Sequence, residues 1–244
     1  MTSRERVLAA ISHRQPDRCA TYHWFPSDTL ALIAERLGVH GEDGVETALG
    51  IDRWRAVSIA ARAPDQTTRI RRFVPRELSG RDDVEITPEG RVLKKHPGAD
   101  YLEDVLWSPL QDVTDVKMLD DYPFPDPALF AVTDNLRSLV KRLKAQDAVV
   151  IGLATQPFKA AWYLRGFENF LCDFLVNVEL AEYMYDRLYA AAAAQCVACA
   201  EAGADVVQIV GDIAMQDRLM MAPDTWRHFD RPRLTALTAA VKAA

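Results

Sequence analysis

Two rhythms of apolar residues run along the chain. In the first part they are short and interrupted. Thr2 with Glu5 makes a capping box that opens a helix ending near residue 12, and Pro16-Asp17 turns the chain into a strand expected over residues 20–24. A helix is predicted over 27–37, ending near Gly38. The pattern VEITPEGRVLKK, with its Pro-Glu-Gly turn, predicts a β-hairpin carried as an insertion over residues 82–95. The Pro- and Asp-rich segment PLQDVTDVKMLDDYPFPDP reads as an extended connection across the surface.

After that segment the pattern becomes regular. It predicts a helix over 127–145, a strand over 148–153, and helices over 167–176 and 180–202. Gly203 stands where a left-handed C-terminal residue is expected, and the apolar run 206–210 that follows reads as a buried parallel strand. Pro223 suits the first turn of a last helix reaching about Lys242. Alternation of this kind predicts an α/β protein with a parallel sheet, either closed as a barrel or open.

Composition narrows the class without changing that picture. Apolar residues make up 49% and charged residues 26%, near globular averages, so one catalytic domain spanning 1–244 is the expectation. A formal charge of −6 gives no overall basic field for a phosphate backbone, and the local run Arg69, Arg71, Arg72 and Arg76 reads as a solvated segment. No apolar run approaches the roughly 18 to 20 residues that span a bilayer, and the polar N-terminus does not look like a signal, so a cytoplasmic protein is expected. Cys19, Cys172, Cys196 and Cys199 are too few and too unevenly placed for a disulfide framework. Cys196 and Cys199 share one helix face with no second pair and no histidine nearby, which argues against a metal site.

Four stretches carry a family resemblance: RERVLAAISHRQPDR near the start, PLQDVTDVKMLDDYPFPDP, QPFKAAWYLRGFENFLCDF, and AGADVVQIVGDIAMQ with APDTWRHFDRP after it. In that order and spacing they resemble the uroporphyrinogen decarboxylase (URO-D) superfamily, which includes the haem-pathway decarboxylase and cobalamin-linked methyltransferases acting on thiols. The resemblance implies a (β/α)8 TIM-barrel type of fold. It covers about the first two-thirds of a family member, so an incomplete barrel is expected, with strand 206–210 leaving a bare edge and the isolated chain marginally stable or homo-oligomeric.

Chemistry on such a barrel is done at the carboxyl ends of its strands. His23, the stretch from Gln156 through Phe158 to Tyr163, and Asp212 with Gln216 are the polar and aromatic groups placed there. Tyr163 matches the pocket tyrosine of the decarboxylase at the same offset from Pro-Phe, and its hydroxyl would orient a carboxylate or donate a proton; the alternative is a core tyrosine on a helix face. Asp212 stands where the decarboxylase has a serine, and its carboxylate would bind a cation, position a substrate amine or hydroxyl, or cap the next helix. Asp52 corresponds either to the decarboxylase's pocket aspartate or to a structural ion-pair partner of Arg53 or Arg55. His23 reads as a ligand or base, or as a satisfied histidine.

Two departures from the family pattern bear on function. The arginine-rich signature expected after the first strand is replaced by YHWFPSDTLALIAERLG, with no arginine before Arg36. Uroporphyrinogen carries eight carboxylates that need fixed guanidinium partners. The His-x-Cys pair and later Cys that hold zinc in the thiol methyltransferases are absent from residues 1–244, so any zinc is expected in a part beyond them, and no metal ligand within them. Three functions stay open: methyl transfer or related chemistry on a small or corrinoid-linked substrate, with a corrinoid protein as partner; tetrapyrrole decarboxylation; and a truncated, non-catalytic product.

Overall fold

A computed structural model describes residues 1–59, 63, 65–96 and 103–244. The chain opens with α1 (Ser3–Ile11), whose capping box is formed as expected: Thr2 accepts from the Glu5 amide, and Glu5 reaches back to the Thr2 amide. Helices α2 (Ser27–Leu37) and α3 (Gly41–Leu49) pack together, each closed by a glycine in the left-handed region, Gly38 and Gly50. Strand β1 (Trp54–Val57) follows, then the short helices α4 (Gln66–Arg71) and α5 (Arg76–Ser79).

The predicted hairpin is present as β2 (Val84–Ile86) and β3 (Val92–Lys94), antiparallel across the Pro-Glu-Gly turn. A third strand that the pattern did not predict, β4 (Asp104–Trp107), pairs antiparallel with β3. Val74, Val84 and Val92 form the small core of this satellite sheet.

The second half holds α6 (Asp134–Ala145), β5 (Val149–Thr155), α7 (Pro157–Arg165), α8 (Phe167–Val176), α9 (Val178–Glu201), β6 (Val206–Val210) and α10 (Pro223–Ala243). Helix α6 is shorter than the predicted 127–145. Pro127 opens only a 3-10 turn, and the true cap is Thr133, whose hydroxyl accepts from the Leu136 amide. The last helix starts at Pro223 as expected.

Among the described residues the parallel sheet has the order β1-β5-β6, with β5 central and its Val149, Val150 and Ile151 buried. Such a strand is flanked on both edges and both faces, and so reads as an unbroken apolar run. A fully closed eight-stranded barrel is not seen in these residues; three parallel strands with helices around them are.

The strand expected over 20–24 is not formed. The Thr21 amide donates to the buried Asp52 carboxylate, the Asp52 amide donates back to the Thr21 hydroxyl, and the Thr21 carbonyl accepts from the Trp54 indole. With its backbone groups taken by side chains, this segment lies beside the sheet, and Trp54–Val57 takes the position next to β5.

The main core lies under α7, α8, α9 and α10. Phe158, Phe170, Phe174, Tyr185 and Phe229 stack there with ring centroids 4.7 to 6.4 Å apart. A second cluster joins Val57 and Val150 to Leu136 and Val140 of α6.

Candidate active site

The carboxyl ends of β5 and β6 are clamped together at one point. The Gln156 amide donates to the Val210 carbonyl at 2.9 Å, and the Gln156 side chain caps α7 by accepting from the Lys159 amide at 3.0 Å. Gly211 makes this approach possible, because a Cβ there would stand 2.5 Å from the Gln156 Cβ and 3.2 Å from the Lys159 Cβ. Lys159 and Asp212 are thereby brought face to face, with Nζ 3.4 Å from the carboxylate.

Lys159 occupies the first turn of α7, where the positive end of the helix dipole disfavours a cation. Burial also pulls its pKa down, but the Tyr163 hydroxyl and the Asp212 carboxylate outweigh that burial, and the net shift is upward. Lys159 therefore stays charged. Tyr163 lies one turn further along α7, its ring centroid 5.6 Å from Lys159 Nζ. The satellite sheet closes over the ring: the Arg91 guanidinium carbon lies 3.4 Å from the centroid, and its outer nitrogens donate to Glu103 at 3.0 and 3.4 Å.

The result is a line of groups, Glu103, Arg91, Tyr163, Lys159 and Asp212, running from the satellite sheet to the end of β6. Of the residues singled out from the sequence, Tyr163 and Asp212 meet here through Lys159. Gln216 is exposed on the loop after Asp212 and makes no hydrogen bond among the described residues.

The other candidates lie elsewhere. Phe158 points into the aromatic core and is fully buried, so it supports α7 from beneath and cannot contact a substrate in this conformation. Asp52 is fully buried, but its partners are Arg6 and Arg18, with Thr21, rather than Arg53 or Arg55. Burial pushes its carboxyl up; the Thr21 amide and the two guanidinium groups outweigh this and hold it below the usual range. His23 is stacked on Phe25, with Nε2 3.1 Å from Glu46, and Glu46 is itself held by both Nη atoms of Arg55 at 2.9 Å. No hydrogen bond or ion pair among the described residues joins this group to Lys159 or Asp212.

Two sets of side chains bear on zinc. His23, Glu42 and Glu46 bring ligand atoms within 4.8 Å of one another, yet Arg55 is paired with both carboxylates, so a cation there would compete with a guanidinium for them. Cys196 and Cys199 are buried on α9, and burial raises both thiols, Cys196 to about 11. Neither set fits a zinc ion that activates a thiol.

Lys159 and Arg91 were missed from sequence. The first carries a readable signal: a lysine in the opening turn of a helix, four residues before a candidate tyrosine, needs an anion nearby. Arg91 carries none, because its place over Tyr163 depends on how the satellite sheet docks.

Comparison with known proteins supplies the relationship. The family model described as uroporphyrinogen decarboxylase (URO-D) matches residues 102–244. Over 105 residues the chain is 32% identical to "Methylcobamide:CoM methyltransferase MtaA" of Methanosarcina barkeri, a stretch that covers 43% of this chain and 30% of that enzyme's length. A methyltransferase from Methanosarcina mazei has a similar fold, with a TM-score of 0.55 at 17% identity, covering 99% of this chain and 67% of that structure.

Proposed function

Because the chain belongs to the uroporphyrinogen decarboxylase (URO-D) family, whose superfamily includes the methyltransferase branch, we propose that it acts on a small molecule in the manner of that branch, and not on uroporphyrinogen. The observation that carries this reading is the charge balance of the site. Its two cations, Arg91 and Lys159, are each matched by one carboxylate, Glu103 and Asp212. Such a site can accept one anionic group; eight carboxylates would be left without compensation. The arginines near the N-terminal segment are also committed, Arg18 to Asp52 and Arg55 to Glu46.

In this reading Lys159 holds the anionic end of the substrate, Asp212 orients a polar hydrogen, and the Tyr163 hydroxyl fixes the approach of the reacting group. A corrinoid on a partner protein would then supply the methyl group to a thiol that gives up its proton, the corrinoid being left as Co(I); the name of the MtaA enzyme gives methylcobamide and CoM as the two parties to that enzyme's own transfer. Any zinc that assists the thiol is held by residues other than the two sets described above.

The test uses protein expressed from the whole reading frame, incubated with methylcobalamin and a panel of thiols while the corrinoid absorbance is followed. Thiol-dependent loss of the methyl group, at least about tenfold slower in Asp212→Asn, is expected. Conversion of uroporphyrinogen to less carboxylated porphyrinogens, with no thiol-dependent demethylation, would overturn the proposal.

A further inference from the structure

Among the described residues, two buried N–H groups on neighbours of Tyr163, those of Arg91 and Trp162, have no acceptor. Arg91 is only 5% exposed in its side chain, and its Nε donates to nothing, although its outer nitrogens reach Glu103. Trp162, whose ring meets Tyr163 edge-on at 4.4 Å, has a buried Nε1 that also donates to nothing. A buried donor left unpaired is costly, so the Arg91 Nε, on a guanidinium that lies against the Tyr163 ring, marks a place where an acceptor is missing.

The charges nearby point the same way. Lys159 approaches the same ring from α7, and its anionic partner, Asp212, is 67% exposed and stands at the long distance of 3.4 Å. Glu103, the partner of Arg91, is 43% exposed. In both pairs the carboxylate is the exposed partner and can turn out to solvent, which leaves its buried or half-buried cation to a better-placed anion. Lys159 Nζ and the Arg91 guanidinium carbon lie 5.6 and 3.4 Å from the same ring centroid, so an oxyanion at that ring is within reach of charge-assisted hydrogen bonds from both, Arg91 offering the free Nε beside a nitrogen released by Glu103.

We infer that Lys159 and Arg91 form an oxyanion subsite on Tyr163 that takes a single carboxylate group of the substrate. This rests on the small-molecule reading above for the placement of substrate at the ends of β5 and β6, but its chemistry does not require methyl transfer. A carboxylate is favoured over a phosphate because its single charge is balanced when only one of the two resident carboxylates, Glu103 or Asp212, turns out to solvent, whereas a dianion needs both to move. The satellite sheet then has a role in specificity, since it delivers one of the two cations.

The experiment is an anion titration of the full chain at constant ionic strength, with chloride as the balancing ion, read by tryptophan emission, to which Trp162 contributes. Acetate is expected to produce a saturable change. Lys159→Gln should raise the half-saturation concentration about tenfold or more, Lys159→Arg should restore most of it, and Arg91→Gln should act like Lys159→Gln. A linear, unsaturable response, equal half-saturation in wild type and Lys159→Gln, or tighter binding of inorganic phosphate than of acetate would each overturn the inference. Circular dichroism of each variant separates loss of the subsite from loss of the fold, and Lys159→Gln keeps most of the half-buried stem of that side chain. Acetate binding without thiol-dependent demethylation would remove the methyl-transfer reading and leave the subsite standing; the reverse would remove the subsite alone.

Discussion

Three buried carboxylates are shifted in opposite directions although burial raises all of them, and the pH dependence of stability follows from which groups face them. Asp52 faces Arg6, Arg18 and the Thr21 amide, while Asp205 faces Arg4, Lys144 and the Val150 amide. In both, burial pushes the carboxyl up, but these partners outweigh it and hold the pKa below its ordinary value. Asp230 accepts from the Tyr185 and Tyr189 hydroxyls at 2.8 Å each; neutral phenols and the attraction of Arg233 do not offset its burial, and its pKa is raised. The stability contributed by Asp52 and Asp205 is present above the unfolded carboxylate range, about 4, and is lost as pH falls through their lower folded values. For Asp230 the sign reverses: the folded state holds the proton more tightly, so its contribution declines as pH rises from the unfolded value through the raised one. We predict that Asp230→Asn flattens this decline in urea-unfolding free energy above about pH 4 and leaves the acid limb intact. Asp230→Ala, which orphans two buried hydroxyls, should cost roughly 2–4 kcal/mol. An Asn variant with an unchanged pH profile would show that Asp230 does not titrate in this window.

At the scale of elements, Gly152 sets how closely β5 approaches α9, as Gly211 does where β6 ends against the start of α7. Gly152, in the middle of β5, lies against α9: a Cβ there would stand 2.4 Å from the Cys199 Cβ and 3.1 Å from its sulfur. Gly152→Ala should therefore destabilise the chain by about 1–3 kcal/mol. Cys199→Ala should not rescue it, because alanine keeps the offending Cβ, whereas Cys199→Gly should recover part of the loss; full rescue by Cys199→Ala, measured by chemical unfolding, would mean that the sulfur alone makes the contact. These elements also show what the sequence could reveal. Strands β5 and β6, the capping box of α1, the Pro223 start of α10 and the β2–β3 hairpin all rest on local signals, such as apolar runs, caps and turn residues, and the structure contains them. Residues 20–24 have stronger strand-forming side chains than Trp54–Val57, yet the latter pairs with β5, because Asp52 and Trp54 take the hydrogen-bonding groups of Thr21. Strand choice was decided by tertiary partners, to which a local pattern is blind. The same holds for the site: Tyr163 and Asp212 stand out in the chain, whereas Arg91 reaches Tyr163 only through the docking of a separate sheet.

For the whole molecule, the distribution of strands across the sheet sets its behaviour in solution. Among the described residues β6 pairs only with β5, so one row of its N–H and C=O groups has no strand neighbour, and Gln208 and Val210 are exposed along it. Unpaired edges of this kind recruit another strand unless charge, proline, a bulge or a covering element blocks them. Strand β6 has the sequence Val-Val-Gln-Ile-Val, five residues with no charge and no proline, and so carries no such block within itself. We therefore expect the 244-residue chain to self-associate as its concentration rises, through the edge of β6. A lysine on an exposed edge position should suppress this at little cost, because its stem can lie along the strand while its charge stays in water and repels the same group on an incoming copy. Sedimentation velocity over a hundredfold range, about 1 to 100 μM, tests the idea: wild type should shift to larger species with concentration, and Gln208→Lys should move the balance toward monomer with an unchanged circular dichroism spectrum. Wild-type protein that stays monomeric across that range would show that the edge is already protected. If Gln208→Lys associates as strongly as wild type, the contact lies on another surface, with the exposed pair Leu175 and Val176 at the end of α8 as the next place to look.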